Sequence, residues 1–152
     1  MKLSDYLTGV TVEAQMAVSG SSRVIDVLVK LVQKPGQFMD SNALVAVIKQ
    51  REKLGSTGIG EGVAIPHVHL KEVKEMHVAM ITTKSPVDFG AVDEKPCSIF
   101  IIVVAPEANR DMYLNLLSAV SGLMRRDHVR KGIMEASTPD AMLKVLREAE
   151  KT

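Results

Sequence analysis

The residues best suited to chemistry are two histidines, His67 and His69, which follow a glycine-rich stretch that begins at Gly55. A neutral imidazole nitrogen is a nucleophile and a metal ligand near neutral pH. The apolar run at residues 63–65 predicts a short buried strand, and Pro66 ends it by removing the next ladder donor. We therefore expect His67 at the point where this strand opens into a loop.

The glycine-rich stretch is compatible with two interpretations. Gly55, Gly58, Gly60 and Gly62 lie within eight positions, a density typical of loops that approach a phosphate closely. A P-loop needs a Gly-Lys-Ser/Thr sequence, which is absent, and a dinucleotide-binding fingerprint follows a strand, whereas a predicted helix comes first here. Spacing alone favours a structural connection and leaves phosphate binding open.

The two histidines also raise the question of a metal site. Residues two apart on an extended segment share a face, so His67 and His69 can in principle bind one ion. No third ligand is identifiable, and the His-Glu-x-x-His motif is absent. We predict no metal and no other cofactor.

Composition limits the classes of function. The chain has 152 residues, enough for one domain with its own core, and 46% of them are hydrophobic. A formal net charge of +1 and an aromatic content of 3% give no basis for nucleic-acid binding. Cys97 is the only cysteine, the first residues lack a signal-peptide pattern, and no apolar run suits a membrane helix. We expect a cytoplasmic protein that does not insert into membranes.

Apolar periodicity predicts the elements that position these residues. Helices are expected after an N-cap at Ser21 or Ser22 as far as about residue 33, from Asp40 or Ser41 to about Leu54, from about Asn109 to Met124, and after Asp127. A last helix is expected to begin at Ser137 or Thr138, with Pro139 just inside it. Strands are expected near Val12 and at 63–65, 77–83 and 98–104. The β-branched run at 98–104 implies a central strand that is buried on both faces. The fold class is therefore α/β, with helices above and below a sheet.

One segment is more specific than any of these patterns. The stretch REKLGSTGIGEGVAIPH, residues 51–67, resembles the active-site region of the enzyme IIA domains of the bacterial phosphoenolpyruvate-dependent phosphotransferase system, fructose/mannitol class. The matching positions are Glu52, Ile59-Gly60 and residues 63–67. The segments MKLSDYL, VDFGAVDEKP and VVAPE extend the resemblance over the whole chain. This class of proteins includes the nitrogen-regulatory IIA proteins. The resemblance implies a single phosphocarrier domain, residues 1–152, with a mixed sheet flanked by helices on both faces.

The resemblance also implies roles and partners. His67 is expected to accept a phosphoryl group from the histidine-containing phosphocarrier protein and to pass it to a IIB component. The alternative is a nitrogen-regulatory protein whose phosphorylation state controls binding to a target protein. Arg51 matches the family arginine near the phosphohistidine, and Thr57, Gly58 and Gly60 are expected to support the phosphate site.

Two positions depart from the family pattern. Val68 stands where the family usually has a small residue. Tyr113 stands where many members carry a second histidine, at the start of the helix after VVAPE. A tyrosine hydroxyl can hydrogen-bond a phosphate but does not supply the charge of an imidazolium. We therefore expect Tyr113 and His69 together to support the phosphate site.

Overall fold

The computed structural model describes residues 2–151 of the chain. Within this range six strands form one sheet in the order β1-β5-β6-β3-β2, and β4 also pairs with β6. The strands are β1 (Val12–Met16), β2 (Gly58–Gly60), β3 (Val63–Ala64), β4 (His67–Leu70), β5 (His77–Val87) and β6 (Cys97–Pro106). The helices are α1 (Ser21–Val32), α2 (Ser41–Leu54), α3 (Arg110–Met124), α4 (Asp127–Glu135) and α5 (Pro139–Glu150), preceded by a 3₁₀ turn at Leu3–Tyr6.

Strand β6 is the centre of the sheet, as its β-branched run predicted. Only Ser98 of its ten residues is not buried. The strand pairs antiparallel with β5 on one side and parallel with β3 and β4 on the other. The mixed sheet implied by the family resemblance is therefore confirmed.

The two faces of the sheet contribute to two cores. On one face Ile101 and Val103 pack with α3, α4 and α5, a cluster that we call the α3-side core. On the other face Phe100, Ile102 and Val104 pack with α1 and α2, the α1-side core. The alternation follows from the two-residue period of a strand. Helices on both faces are thus confirmed.

Helix starts follow the sequence at two places and depart from it at one. The side chains of Asp40 and Thr138 accept hydrogen bonds from the third amide of α2 and α5, as N-caps do. At α1 the prediction was wrong: the N-cap is Gly20, with φ 86°, and Ser21 is already the first helical residue. A positive φ at the entry suits glycine better than serine. None of the helices in the described range is long and apolar enough to cross a membrane.

The expected loop after Pro66 is instead a second strand. Strand β3 pairs with Ile99 and Phe100 of β6, and β4 pairs with the same edge further along, beginning at His67 opposite Val103. Pro66 lacks an N–H and interrupts the ladder, but its carbonyl still accepts a hydrogen bond from the Val103 amide at 2.9 Å. The prediction that His67 opens a loop was wrong because β6 is long enough to pair with both segments.

Gly58 is required for the close packing of the glycine-rich hairpin. A Cβ at position 58 would lie 2.7 Å from the Ala91 Cβ and 2.8 Å from its Cα. We expect Gly58→Ala to lower the free energy of unfolding by about 1–3 kcal/mol, the usual cost of overpacking. Urea denaturation checks this value. Gly36→Ala is the matched control, since a Cβ there meets no atom within 4 Å and the free energy should stay near that of the wild type. Equal stability of the two variants would contradict the close approach.

Candidate active site

Strand β4 presents His67 and His69 on one face of the sheet. Val68 and Leu70, the alternate residues, are buried in the α1-side core. Both imidazoles contact the ring of Tyr113, which belongs to α3. The unusual Val68 therefore points away from the histidines, and its branched side chain does not obstruct them.

The imidazole of His67 is held in one tautomer by the backbone. Its Nδ1 lies 2.5 Å from the carbonyl oxygen of Ile65. A carbonyl oxygen can only accept, so Nδ1 carries the proton and Nε2 keeps its lone pair. This is the arrangement that a nitrogen nucleophile needs.

The surroundings keep His67 neutral near neutral pH. Its pKa is lowered from the ordinary value chiefly by burial, which disfavours the imidazolium. The hydrogen bond to Ile65 raises the pKa, and the positive charge of Arg51 lowers it. The balance favours the free base, so that Nε2 is available for attack.

Arg51 lies in the last turn of α2, close enough for its charge to act on this imidazole. Its Nη1 donates to the carbonyl oxygen of Gly55 at 2.8 Å. Across residues 2–151 it forms no salt bridge within 4 Å. Its charge lowers the pKa of both His67 and Tyr113. The site therefore contains a cation that is not neutralised by a carboxylate.

The start of the glycine-rich hairpin is tied to the same end of α2. The Glu52 carboxylate accepts hydrogen bonds from the Thr57 amide at 3.2 Å and from the Thr57 hydroxyl. The Gly58 amide donates to the Ser56 hydroxyl oxygen at 3.0 Å, and that hydroxyl donates to the Phe89 carbonyl at 2.6 Å. The amides of Thr57 and Gly58 thus already have acceptors, and they fix the hairpin.

Gly60 helps to form the turn between β2 and β3 through its backbone conformation. It has φ 92°, and the Glu61 that follows it has φ 58° and donates its amide to Asp93 at 3.0 Å. These two conformations turn the chain from β2 into β3. They bring the strand back along the sheet so that His67 follows at the correct position.

Tyr113 forms the wall of the site on the α3 side. Its ring centroid lies 5.7 Å from that of His67 and 3.9 Å from that of His69, the latter pair T-shaped. The side chain is buried, and burial is the main reason why the pKa of its hydroxyl is raised. The charges of Arg51 and Arg110 act in the opposite direction. The phenol stays protonated and offers a neutral hydroxyl.

The structure brings together most of the residues singled out in the sequence, and it adds three. His67, His69 and Tyr113 are in ring contact, and Arg51 is close enough to influence two of them electrostatically. The additional groups are the Ile65 carbonyl, the Glu52 carboxylate and the Arg110 guanidinium, whose charge acts on His69. Glu52 belongs to the quoted family motif, whereas the other two have no signal in the local sequence.

The other two histidines and the cysteine lie outside the site around His67. His77 stacks on Phe38, and His128 is exposed on α4. Cys97 is buried, and burial raises the pKa of its thiol to about 11, as for an inert core cysteine. In the part of the chain that the structure describes, no three His, Cys, Asp or Glu side chains are grouped to hold a metal ion.

The arrangement is a neutral imidazole nucleophile near a guanidinium that donates to a backbone carbonyl, and comparison with known proteins shows the family of the chain. Residues 5–149 match the family described as "Phosphoenolpyruvate-dependent sugar phosphotransferase system, EIIA 2". The chain belongs to this family, which confirms the resemblance found in residues 51–67.

The relatives include both a fructose-specific phosphotransferase system component and a nitrogen regulatory protein. The chain is 32% identical over 151 residues to the PTS system fructose-specific EIIABC component of Bacillus subtilis, aligning with 99% of this chain and 24% of that protein. It therefore spans about a quarter of the length of that relative. It is 31% identical over 128 residues to a nitrogen regulatory protein of Pseudomonas aeruginosa, aligning with 84% of this chain and 83% of that one.

A solved structure shares the fold closely. The nitrogen regulatory protein IIA-Ntr of Neisseria meningitidis superposes with a TM-score of 0.88 at 30% identity, covering 95% of this chain and 98% of that one. Both the sequence and the structural similarity therefore extend over nearly the whole chain.

The bond between Thr57 and Glu52 should contribute measurably to stability. Thr57→Val keeps the shape of the side chain but removes one hydrogen bond to a carboxylate, so we expect the free energy of unfolding to fall by about 1.5–3 kcal/mol. Thr57→Ser keeps the hydroxyl and should retain the bond, and its loss should come from one methyl group, about 0.8 kcal/mol. Urea denaturation of the three proteins compares them. A smaller loss for the valine variant than for the serine variant would contradict this role.

Proposed function

We propose that this chain is a phosphoryl carrier in which His67 Nε2 holds the phosphoryl group. The observation that carries the proposal is the Nδ1 hydrogen bond to Ile65, which leaves Nε2 unprotonated beside Arg51. Membership of the family supports a phosphotransferase component. Residues 1–152 would act as one IIA unit that needs neither metal nor cofactor.

The transfer is a substitution at phosphorus. The lone pair of His67 Nε2 forms a new N–P bond, and the N–P bond of a phosphohistidine on the donor protein breaks. The electron pair of that bond returns to the donor imidazole. The ring of His67 becomes positively charged as the bond forms, and the Ile65 carbonyl stabilises the Nδ1 proton meanwhile. Positioning and charge stabilisation supply most of the catalysis in such reactions.

Arg51 is suited to stabilise the phosphoryl oxygens. A guanidinium presents several donors in one plane and can bind two phosphate oxygens at once. Arg51 has only a backbone carbonyl as its acceptor in the described chain, at 2.8 Å. A phosphoryl group is a stronger acceptor than a neutral carbonyl, so its arrival would favour rearrangement of this side chain toward His67.

The proposed partners follow from the chemistry of the carrier. A donor with a phosphohistidine, the histidine-containing phosphocarrier protein, would supply the group. The name of the Bacillus relative joins A with B and C components, which supports a IIB component as acceptor. These exchanges would take place in the cytoplasm.

A regulatory role is the second candidate. It is supported by the nitrogen regulatory protein of Neisseria meningitidis, which superposes over nearly the whole chain. In this case the phosphoryl group on His67 would control binding to a target protein. Transfer of labelled phosphate from the phosphorylated chain to a IIB protein encoded by neighbouring genes would favour the carrier. Retention of the label in the presence of IIB would favour the regulator.

His67→Ala should abolish phosphorylation by phosphoenolpyruvate, enzyme I and the phosphocarrier protein. The product in the wild type should be labile to acid and stable to base, because it is a phosphoramidate. His128→Ala, which removes an exposed imidazole from α4, should take up phosphate like the wild type. Stoichiometric phosphate on the His67 variant would show that the nucleophile lies elsewhere.

Arg51→Ala should slow single-turnover phosphorylation about 100-fold, since a cation opposite the developing charge is lost. The rate should fall at low pH, because a protonated His67 has no lone pair for attack. The midpoint of this fall should lie below 6.5, the ordinary pKa of histidine, since the surroundings lower the pKa of His67. In the variant this midpoint should move upward, since Arg51 lowers that pKa. Lys53→Ala, on the same exposed turn, is the control and should alter neither value. An unchanged rate and midpoint in the Arg51 variant would make Arg51 a surface residue without a catalytic role.

A further inference from the structure

His69 carries an unsatisfied polar atom next to the proposed phosphoryl position. Its Nε2 is the one buried side-chain nitrogen or oxygen without a hydrogen-bond partner that residues 2–151 show. Buried polar groups are nearly always paired, because an unpaired one loses its hydration without compensation. A specific unpaired atom in a site therefore calls for an explanation, and a ligand that arrives later is one.

The strand geometry places this atom close to His67. The two histidines share one face of β4 and are two residues apart, roughly 7 Å along the strand. Both rings contact Tyr113, so the three side chains form one continuous surface. A phosphoryl group on His67 Nε2 would therefore lie on the face of β4 that also carries His69.

Charged groups around His69 favour an anion at this place. Burial lowers the pKa of His69 most, followed by the charges of Arg110 on α3 and of His67 on the same strand. The Glu107 carboxylate, after β6, raises it. The Tyr113 hydroxyl stays neutral. A dianionic phosphoryl group next to a neutral His69 would raise the pKa of His69 and favour its protonation.

We propose, on the basis of the phosphocarrier function of His67, that His69 donates a hydrogen bond from Nε2 to the phosphoryl group and binds a proton from solvent when His67 is phosphorylated. His69 is then a catalytic residue, since it touches the transferred group. Its unpaired Nε2 belongs to the unphosphorylated state. Rotation of the partly exposed imidazole brings the nitrogen to a phosphoryl oxygen.

The alternative is a purely structural histidine. In the T-shaped contact an N–H directed at the Tyr113 ring would partly satisfy Nε2. Such a histidine would affect stability and would not respond to phosphorylation of His67.

Histidine NMR of the full-length chain separates the two roles. The pKa of His69 is measured by ¹⁵N–¹H spectra before and after phosphorylation by the donor system. We expect an increase of at least about one unit on phosphorylation, the usual effect of a nearby opposite charge. An unchanged pKa in a chain that carries phosphate on His67 overturns the proposal. A wild type that takes up no phosphate on His67 overturns the phosphocarrier function itself, and this proposal with it.

Two variants give an independent test. His69→Phe keeps a ring against Tyr113 and removes the donor, and it should shorten the half-life of the phosphohistidine about tenfold. His69→Gln keeps an N–H donor and should stay within about threefold of the wild type. His128→Ala is the control. A phenylalanine variant with the wild-type half-life would show that His69 only packs. Because the NMR measurement uses the wild type, the proposal stays testable if a variant fails to fold.

Discussion

The hydrogen bond from His67 Nδ1 to the Ile65 carbonyl is the interaction on which the site depends. The Pro66 carbonyl accepts from the Val103 amide of β6, and the Ile65 amide, on the opposite edge of the segment, donates to the Thr57 carbonyl. Pairing of β2 with β3 ends at Gly58 and Ala64, so the Ile65 carbonyl lies beyond the last pair of that ladder. It is therefore free to accept from the imidazole two residues later. The central strand β6 holds both segments, so a local break in pairing becomes a fixed orientation of one ring.

The electrostatics of the site follow from this orientation. Burial favours the neutral imidazole, and Arg51 adds a positive charge that further disfavours protonation. In the proposed function the same charge would attract an incoming phosphoryl group, so one residue would both keep the nucleophile in its basic form and stabilise the product. A second guanidinium, that of Arg110, lowers the pKa of both His69 and Tyr113. A partly buried imidazole near a guanidinium without a carboxylate partner in residues 2–151 favours an anion over a proton at this place.

Local sequence patterns predicted the parts of the fold that depend on neighbouring residues. The helix starts near Asp40 and Thr138, the central strand and the segment 51–67 all carry their signal within a few positions. The failures have a different physical origin. Strand β4 forms because β6 offers it an edge, which no residue near His67 reveals. The contact between His69 and Tyr113, by contrast, was expected from the family resemblance and not from local pattern, since it joins a strand to a helix through tertiary packing.

The alternation of side chains along β4 has a consequence for how sequences of this kind can change. His67 and His69 face α3, while Val68 and Leu70 fill the opposite core. Substitution at these positions alters one contact at a time. Insertion of a single residue directly after Pro66 would reverse both sets, burying imidazoles among the aliphatic side chains of α1 and α2 and placing valine and leucine beside Tyr113. Substitutions can therefore be tolerated at these positions one at a time, whereas the number of residues between the proline and the histidines has to stay constant.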